Sequence, residues 1–255
     1  MRAFFSLASI VVLAAASLVA YAEPQPAPMT TDARMTLKAY QGLVEEHLAG
    51  ILRAEKALAA TSDAKSAKWA NIKPALKSLS VSLGTDAAVW FALPDGGYYT
   101  AEGDRAEQSL KDRDYFPNLL SGKDVLGSLV VSKSTGHRSI IVATPVIDQG
   151  KVVGAIGVSV RARMVSQLVD KNTDLPDGMY FYALDANEQL AIHKNPERMF
   201  KHPADIDPKL KPVFAAIQGK DQGMFQYPLE GKLIHAVFNK SSLTGWRFFL
   251  AQEQK

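Results

Sequence analysis

Asp112-Arg113-Asp114-Tyr115-Phe116 is followed by Gly127-Ser128-Leu129-Val130-Val131-Ser132-Lys133-Ser134-Thr135-Gly136. Ile140-Ile141-Val142-Ala143-Thr144-Pro145-Val146 and Lys151-Val152-Val153-Gly154-Ala155-Ile156-Gly157-Val158-Ser159-Val160 come next. A charged-aromatic cluster thus precedes three runs of β-branched and apolar residues, and Gln149-Gly150 supplies the turn between the last two. Such runs bounded by turn residues predict antiparallel strands. If the chain recognises a small molecule, this stretch is the expected place.

Working outward, residues 88–93 form a buried-strand run. Pro94-Asp95-Gly96-Gly97 is a turn, and Tyr98-Tyr99-Thr100 begins a return strand, so a hairpin is predicted. A short helix carrying Tyr115 and Phe116 should end near Ser121-Gly122. Upstream, Leu37, Tyr40, Val44, Leu48 and Ile51 recur at three- and four-residue steps after Thr30, Thr31 or Asp32, any of which can cap a helix. That stripe predicts a long amphipathic helix to about Ala60, lying on a sheet. A weaker helical piece runs through Trp69 and Leu76.

From Met179 the order repeats. Residues 179–184, the turn 185–188 and residues 190–193 parallel the Trp90 hairpin. A helix over 208–217, a strand over 224–227 and a terminal hairpin (233–238, turn 241–245, 246–251) follow. The tripeptide Gly122-Lys123-Asp124 recurs as Gly219-Lys220-Asp221, each time just before a β run. Together these predict an α+β fold of two related modules with antiparallel sheets, joined by a helix over 161–174.

The N-terminus is of another kind. Arg2, an apolar run over residues 4–19 and Ala20-Tyr21-Ala22 have the pattern of a secretory signal peptide cut after Ala22. The competing reading is a retained membrane anchor, since the run approaches spanning length. The expected organisation is signal peptide 1–22, Pro-rich flexible leader 23–31, first module with the long helix 32–174 and second module 175–255. With no other long apolar run, and a polar tail after Phe248-Phe249-Leu250-Ala251, the processed product is expected to be soluble and periplasmic or secreted. The chain has no cysteine, which excludes disulfides, thiolate metal sites and thiol chemistry. Its formal charge of +3 is interspersed, so no nucleic-acid surface is expected.

These residues resemble the double Cache sensor domains found outside the membrane in bacterial chemoreceptors and histidine kinases. The resemblance rests on the long helix, the 112–116 cluster, Val131-Ser132-Lys133-Ser134-Thr135-Gly136, Ala143-Thr144-Pro145-Val146 and residues 153–160. It runs from Asp32 to about Gln252. It implies two PAS-like modules stacked along the long helix, with the ligand in the first, membrane-distal one. Receptors of that family continue into a transmembrane helix and a cytoplasmic part. This sequence stops instead, so a free-standing exported module is expected.

The resemblance also implies site residues. Arg113, with aromatics Tyr115 and Phe116 two and three residues on, matches the family's carboxylate-holding arginine, and a guanidinium fork suits a carboxylate. The plainer alternative is Arg113 paired with Asp112 or Asp114 over a core Tyr115 and Phe116. The two positions where amino-acid binders place acids for the ligand's ammonium are Ser132 and Ser159, both neutral. An ammonium would therefore be buried without counter-charge, and the expected ligand is a small organic acid: acetate, propionate, lactate or pyruvate. Trp90 and Tyr99 are candidate pocket walls or core residues. Lys133 is a second candidate cation or a solvated strand lysine, and His137 and Arg138 are read as exposed turn residues. The expected partner is a membrane histidine kinase or chemoreceptor. A ligand-free docking module and a solute-capture protein for a transporter are the other function classes.

Enzyme signatures are missing. His47, His137, His193, His202 and His235 show no metal spacing, and Ser134 and Ser159 lack a nucleophile elbow. No phosphate-binding glycine loop is present, and Gly154 and Gly157 lie inside a strand-like run. Asp185-Ala186-Asn187-Glu188 is only faintly like a calcium loop and is read as a turn. No cofactor, metal or catalytic residue is expected.

Overall fold

In a computed structural model, residues 32–84, 87–133 and 136–254 are described. The expected signal peptide, cleavage site and leader, together with Ser134 and Thr135, lie outside them. In chain order the elements are α1 (Ala33–Ala59), α2 (Ser62–Lys65), α3 (Trp69–Leu83), β1 (Ala87–Ala92), β2 (Gly97–Thr100), β3 (Arg105–Ser109), α4 (Phe116–Leu120), β4 (Val125–Val131), β5 (Arg138–Asp148) and β6 (Lys151–Arg161). Then come α5 (Ala162–Thr173), β7 (Met179–Leu184), β8 (Leu190–His193), a 3-10 turn (Pro196–Arg198), α6 (Pro203–Ile206), α7 (Leu210–Ala215), β9 (Gln222–Leu229), β10 (Lys232–Lys240) and β11 (Arg247–Glu253).

The strands make two antiparallel sheets, ordered β3-β2-β1-β6-β5-β4 and β8-β7-β11-β10-β9. Remove edge strand β3 and the orders are identical: a hairpin, then the last strand of the module beside the first. The duplication expected from element order is therefore present in the topology. The fold is α+β, with a long N-terminal helix and two PAS-like sheets. Strand β3 was not expected. It is polar and exposed except at Ala106, so it carries no sustained alternating signal.

Asp32 caps α1, its carboxylate accepting from the backbone N–H of Arg34 at 2.7 Å. At 27 residues the helix is about 40 Å long, enough to cross both sheets. Its predicted stripe is buried: Leu37, Tyr40, Val44, Leu48 and Ile51 are all under 5 % exposed, each such burial worth about 1.5–3 kcal/mol. The Tyr40 hydroxyl faces two backbone carbonyls of the second sheet, Phe249 at 2.7 Å and Tyr182 at 3.0 Å. Helix α3 runs past Leu76 to Leu83, carrying Pro74 inside it, and stops at Gly84, where φ is +75°.

One core lies between α1, α3, α5 and the near faces of both sheets. The far face of each sheet has its own core. On the first sheet it is covered by residues 110–119, on the second by α7. The two sheets are joined directly as well. Trp246, preceding β11, is buried and donates its indole N–H to the Gly127 carbonyl at 3.0 Å. Gly127 has φ +97° at a bulge in β4, and a Cβ there would meet the indole at 2.8 Å. Glycine is what lets the ring approach. No helix among the described residues is long and apolar enough to cross a membrane.

Candidate functional site

The far face of the first sheet and the segment folded over it contain most of the predicted site. On β1, Trp90 and Ala92 point to this face while Val89 and Phe91 point to the helices. Trp90 pairs with Gly157 of β6, and the indole lies directly on that glycine: a Cβ on Gly157 would meet its ring at 2.0 Å. The indole N–H donates to the Ser159 hydroxyl at 3.2 Å. Tyr115 lies above, ring centroids 6.4 Å apart, and Phe116 and Leu119 of α4 complete the cover. Trp90, Tyr115, Phe116 and Ser159 are thus brought together around one apolar face.

Tyr99 is not among them. Its Cα partner is Phe91, so it points to the helix side and stacks on Trp69 of α3 at 4.8 Å. Tyr98 takes the place on the site face, 6 % exposed. Side chains alternate along a strand, so the correction is one residue of register.

Arg113 is half-buried at the edge of this cover, where its guanidinium donates to the Val131 carbonyl at 2.8 Å. It shares with Tyr115 a polar cleft of about 230 Å³, whose other walls include Asp114, the β4 backbone and the 185–187 turn. Asp112 does not pair with Arg113. Lys133 takes it, Nζ to carboxylate at 2.5 and 2.7 Å, and also donates to the Ser109 carbonyl. That hydrogen bond holds the Asp112 carboxyl below the usual range. Lys133 is therefore neither a free cation in the pocket nor a lysine on a strand. Strand β4 ends at Val131, and Ser132 and Lys133 lie in the turn beyond it, where the Ser132 N–H donates to the His137 carbonyl at 2.8 Å. Ser132 is half-buried there, off the sheet face that holds Ser159.

The buried apolar side chains of that face include Trp90, Tyr98, Tyr115, Ile141, Ala143 and Ala155. Burial raises the Tyr115 pKa, keeping it a neutral phenol. Such a face, with an indole N–H, a hydroxyl and a guanidinium at its margin, has donors for an oxyanion, and the cleft at that margin also carries the carboxylates of Asp112, Asp114 and Asp185. The 185–188 segment is a turn: Asp185 accepts from the backbone N–H of Asn187 and Gln189. Among the described residues no group of three or more His, Asp or Glu could hold a metal ion.

Several polar groups in the second sheet were not among the expected site residues. The hydroxyls of Tyr180, Tyr182 and Tyr227 form a chain, 3.2 and 3.1 Å apart, beside His193 and Arg198 at a small cavity. These residues sit on β7, β8, the 3-10 turn and β9. Only the strand order brings them together, and the period-two spacing of Tyr180 and Tyr182 was the one signal available.

No curated protein matches the sequence significantly. Solved structures do, at a level that shows fold. The sensory domain of the Campylobacter jejuni chemoreceptor Tlp3 (CcmL), with isoleucine bound, is 17% identical, covering 87% of this chain and 91% of that one, with a TM-score of 0.64. The ligand-binding domain of the Pseudomonas aeruginosa amino acid chemoreceptor PctB, in complex with L-Arg, is 15% identical, covering 87% and 93%, TM-score 0.70. That of the Pseudomonas fluorescens chemoreceptor CtaA, in complex with L-isoleucine, is 14% identical, covering 85% and 89%, TM-score 0.69. A family model described as a Cache domain matches residues 18–255, and with two PAS-like sheets strung on one helix the chain belongs to the Cache domain family.

Proposed function

We propose that this is an exported, periplasmic Cache sensor module, not an enzyme. It binds a small organic acid of the acetate, propionate, lactate or pyruvate class at the far face of its first sheet. The carrying observation is the set of hydrogen-bond donors that the sheet presents beside Arg113. Ser159, Trp90, Tyr98 and Tyr115 supply hydroxyl and N–H groups, and Ser159 is neutral where an amino-acid binder would need an acid. The solved neighbours are chemoreceptor domains holding amino acids. Here Ser159 offers an α-ammonium no charge on the sheet itself; of the carboxylates in the adjoining cleft, Asp112 is taken by Lys133 and Asp185 by backbone N–H groups, which leaves Asp114, and an ammonium left unpaired costs several kcal/mol. Arg113 spends one hydrogen bond on Val131 and keeps other N–H donors for a carboxylate arriving beside Tyr115. Signalling then passes to a membrane histidine kinase or chemoreceptor.

One observation favours a second reading, a ligand-free docking module. The Trp90 indole already fills the space over Gly157. On the first reading the ligand displaces that indole or settles beside it. On the second nothing does. Calorimetric titration with short organic acids and amino acids tests the proposal. Saturable binding of the acids that is lost in Arg113→Ala is expected. Binding of amino acids alone, or of nothing, overturns it.

A further inference from the structure

The far face of the first sheet is full. Trp90, Tyr98, Tyr115, Phe116 and Leu119 are all at most 6 % exposed, and the Trp90 indole occupies the volume over Gly157. The open space beside Arg113 is the polar cleft of about 230 Å³. That is smaller than the roughly 300–1,000 Å³ of a site for drug-sized molecules, and in scale with an acid of two or three carbons.

The walls of this cleft come from both modules. Tyr115 and the part of β4 around Gly127 belong to the first. Ala186 and Asn187, in the turn between β7 and β8, and Thr244 and Trp246, before β11, belong to the second. The two sets meet where Trp246 donates its indole N–H to the Gly127 carbonyl at 3.0 Å. The bulge at Gly127 breaks the register of β4 on β5, and a residue with φ of +97° and no Cβ admits the indole. A molecule in the cleft therefore lies against the joint between the sheets.

The polar groups of the cleft are divided in the same way. Arg113 spends one N–H on the Val131 carbonyl and keeps the rest. The hydroxyls of Ser128 and Thr244 stand one on each module, and both can donate. Of the carboxylates, Asp112 is bound to Lys133, and Asp185 accepts from the N–H groups of Asn187 and Gln189. Asp114, on the first module, repels an anion and leaves the second-module wall as the better support for its far end.

We infer that the cleft is a two-module site. An acid held by Arg113 also rests on Ala186, Asn187 and Thr244 of the second module, and its binding tightens the Trp246–Gly127 joint. The inference rests on the reading that a carboxylate meets Arg113. It adds that the second module helps to select the ligand and feels its arrival. A ligand that touches both modules binds best when they are packed together, and by linkage it stabilises that packing in return.

The chain has three tryptophans, and they mark three places. Trp69 stacks on Tyr99 at the helix side, Trp90 lies on the far face and Trp246 borders the cleft. Their indole N–H signals, assigned by Trp→Phe replacement, are followed by NMR while the full chain is titrated with the sodium salts of acetate, propionate, lactate and pyruvate, beside calorimetry. The Trp246 signal should shift with the calorimetric midpoint, and its exchange with solvent should slow. Ala186 is exposed, so Ala186→Leu should leave Tm unchanged, while its bulk in the cleft weakens binding about ten-fold or more. Met224→Ala, in a separate groove of the second module, should bind as wild type does. Binding that Arg113→Ala abolishes and Ala186→Leu leaves intact overturns the inference, as does binding that moves the Trp90 signal and not that of Trp246. In both cases the ligand lies wholly in the first module and the acid reading stands. Binding of none of the four acids overturns the acid reading and the inference with it. If Ala186→Leu lowers Tm, the wild-type Trp246 signal and its exchange decide the matter.

Discussion

The indole of Trp90 lies against Gly157, close enough that a Cβ there would fall 2.0 Å from the ring, and hands its N–H to Ser159 at 3.2 Å. This pair decides whether the far face of the first sheet is a pocket or a plug. Gly157→Ala must push the indole off the sheet and should cost roughly 1–3 kcal/mol by overpacking. Trp90→Ala alone should cost about 3–5 kcal/mol. Because the first clash vanishes once the ring is gone, the double variant should lose less than the sum, a coupling that urea denaturation of all four proteins reads directly. Additive losses would mean that the two residues do not touch.

Trp246 and Gly127 link the two sheets. Trp246→Phe leaves the Gly127 carbonyl buried without its donor and should cost about 1–3 kcal/mol. Gly127→Ala meets both the indole and a φ of +97°. It should destabilise at least as much, through strain of about 1–3 kcal/mol. Thermal unfolding checks both. Wild-type stability in either would mean that the sheets are held elsewhere.

Glu55 on α1 is fully buried, and neither of its carboxylate oxygens has a hydrogen-bond partner of normal geometry. Burial, and then the charge of Asp124, raise its pKa well above the ordinary carboxylate value, which the Val158 backbone only partly offsets. The folded state thus binds this proton more tightly than the unfolded state. Its contribution to stability is whole below the unfolded pKa and is lost as pH rises toward the folded one. Glu55→Met should therefore raise stability at neutral pH, by about 1–3 kcal/mol, and the gap should close as pH falls toward 4. Denaturant midpoints across that range measure it. A variant less stable than wild type at pH 7 would contradict it.

Much of this architecture was legible because it rests on contiguous periodic signals. The Leu37-to-Ile51 stripe and the 140–160 runs each face a core along their whole length, so burial writes itself into the local pattern. The failures are local in a different way. Strand β3 is a polar edge, which has no core to report. Tyr98 and Tyr99 are chemically alike and adjacent, and which one faces the site depends on where the Gly96-Gly97 turn sets the register; a shift by one exchanges the faces. Ser132 was counted on a strand that ends one residue before it. The hydroxyl chain of the second sheet spans residues 180 to 227, and nothing in sequence spacing says that β7 lies between β8 and β11.

Arg113 makes one backbone hydrogen bond and is half exposed, so Arg113→Ala should cost under about 1.5 kcal/mol of stability. The same change should weaken carboxylate binding by about ten-fold or more, since a charged pair is removed. Comparing its unfolding midpoint with its binding isotherm separates the two effects. A large loss of stability with unchanged binding would make Arg113 a structural residue.

The central claim is that the first sheet takes a carboxylate without an ammonium. Lactate and L-alanine share a skeleton and a carboxylate and differ at one carbon, hydroxyl against ammonium. Their calorimetric titration into the wild-type protein tests the claim most directly. The account predicts saturable lactate binding, with L-alanine weaker by about a hundred-fold or more. L-alanine binding as tightly as lactate, or no binding of lactate, would contradict it.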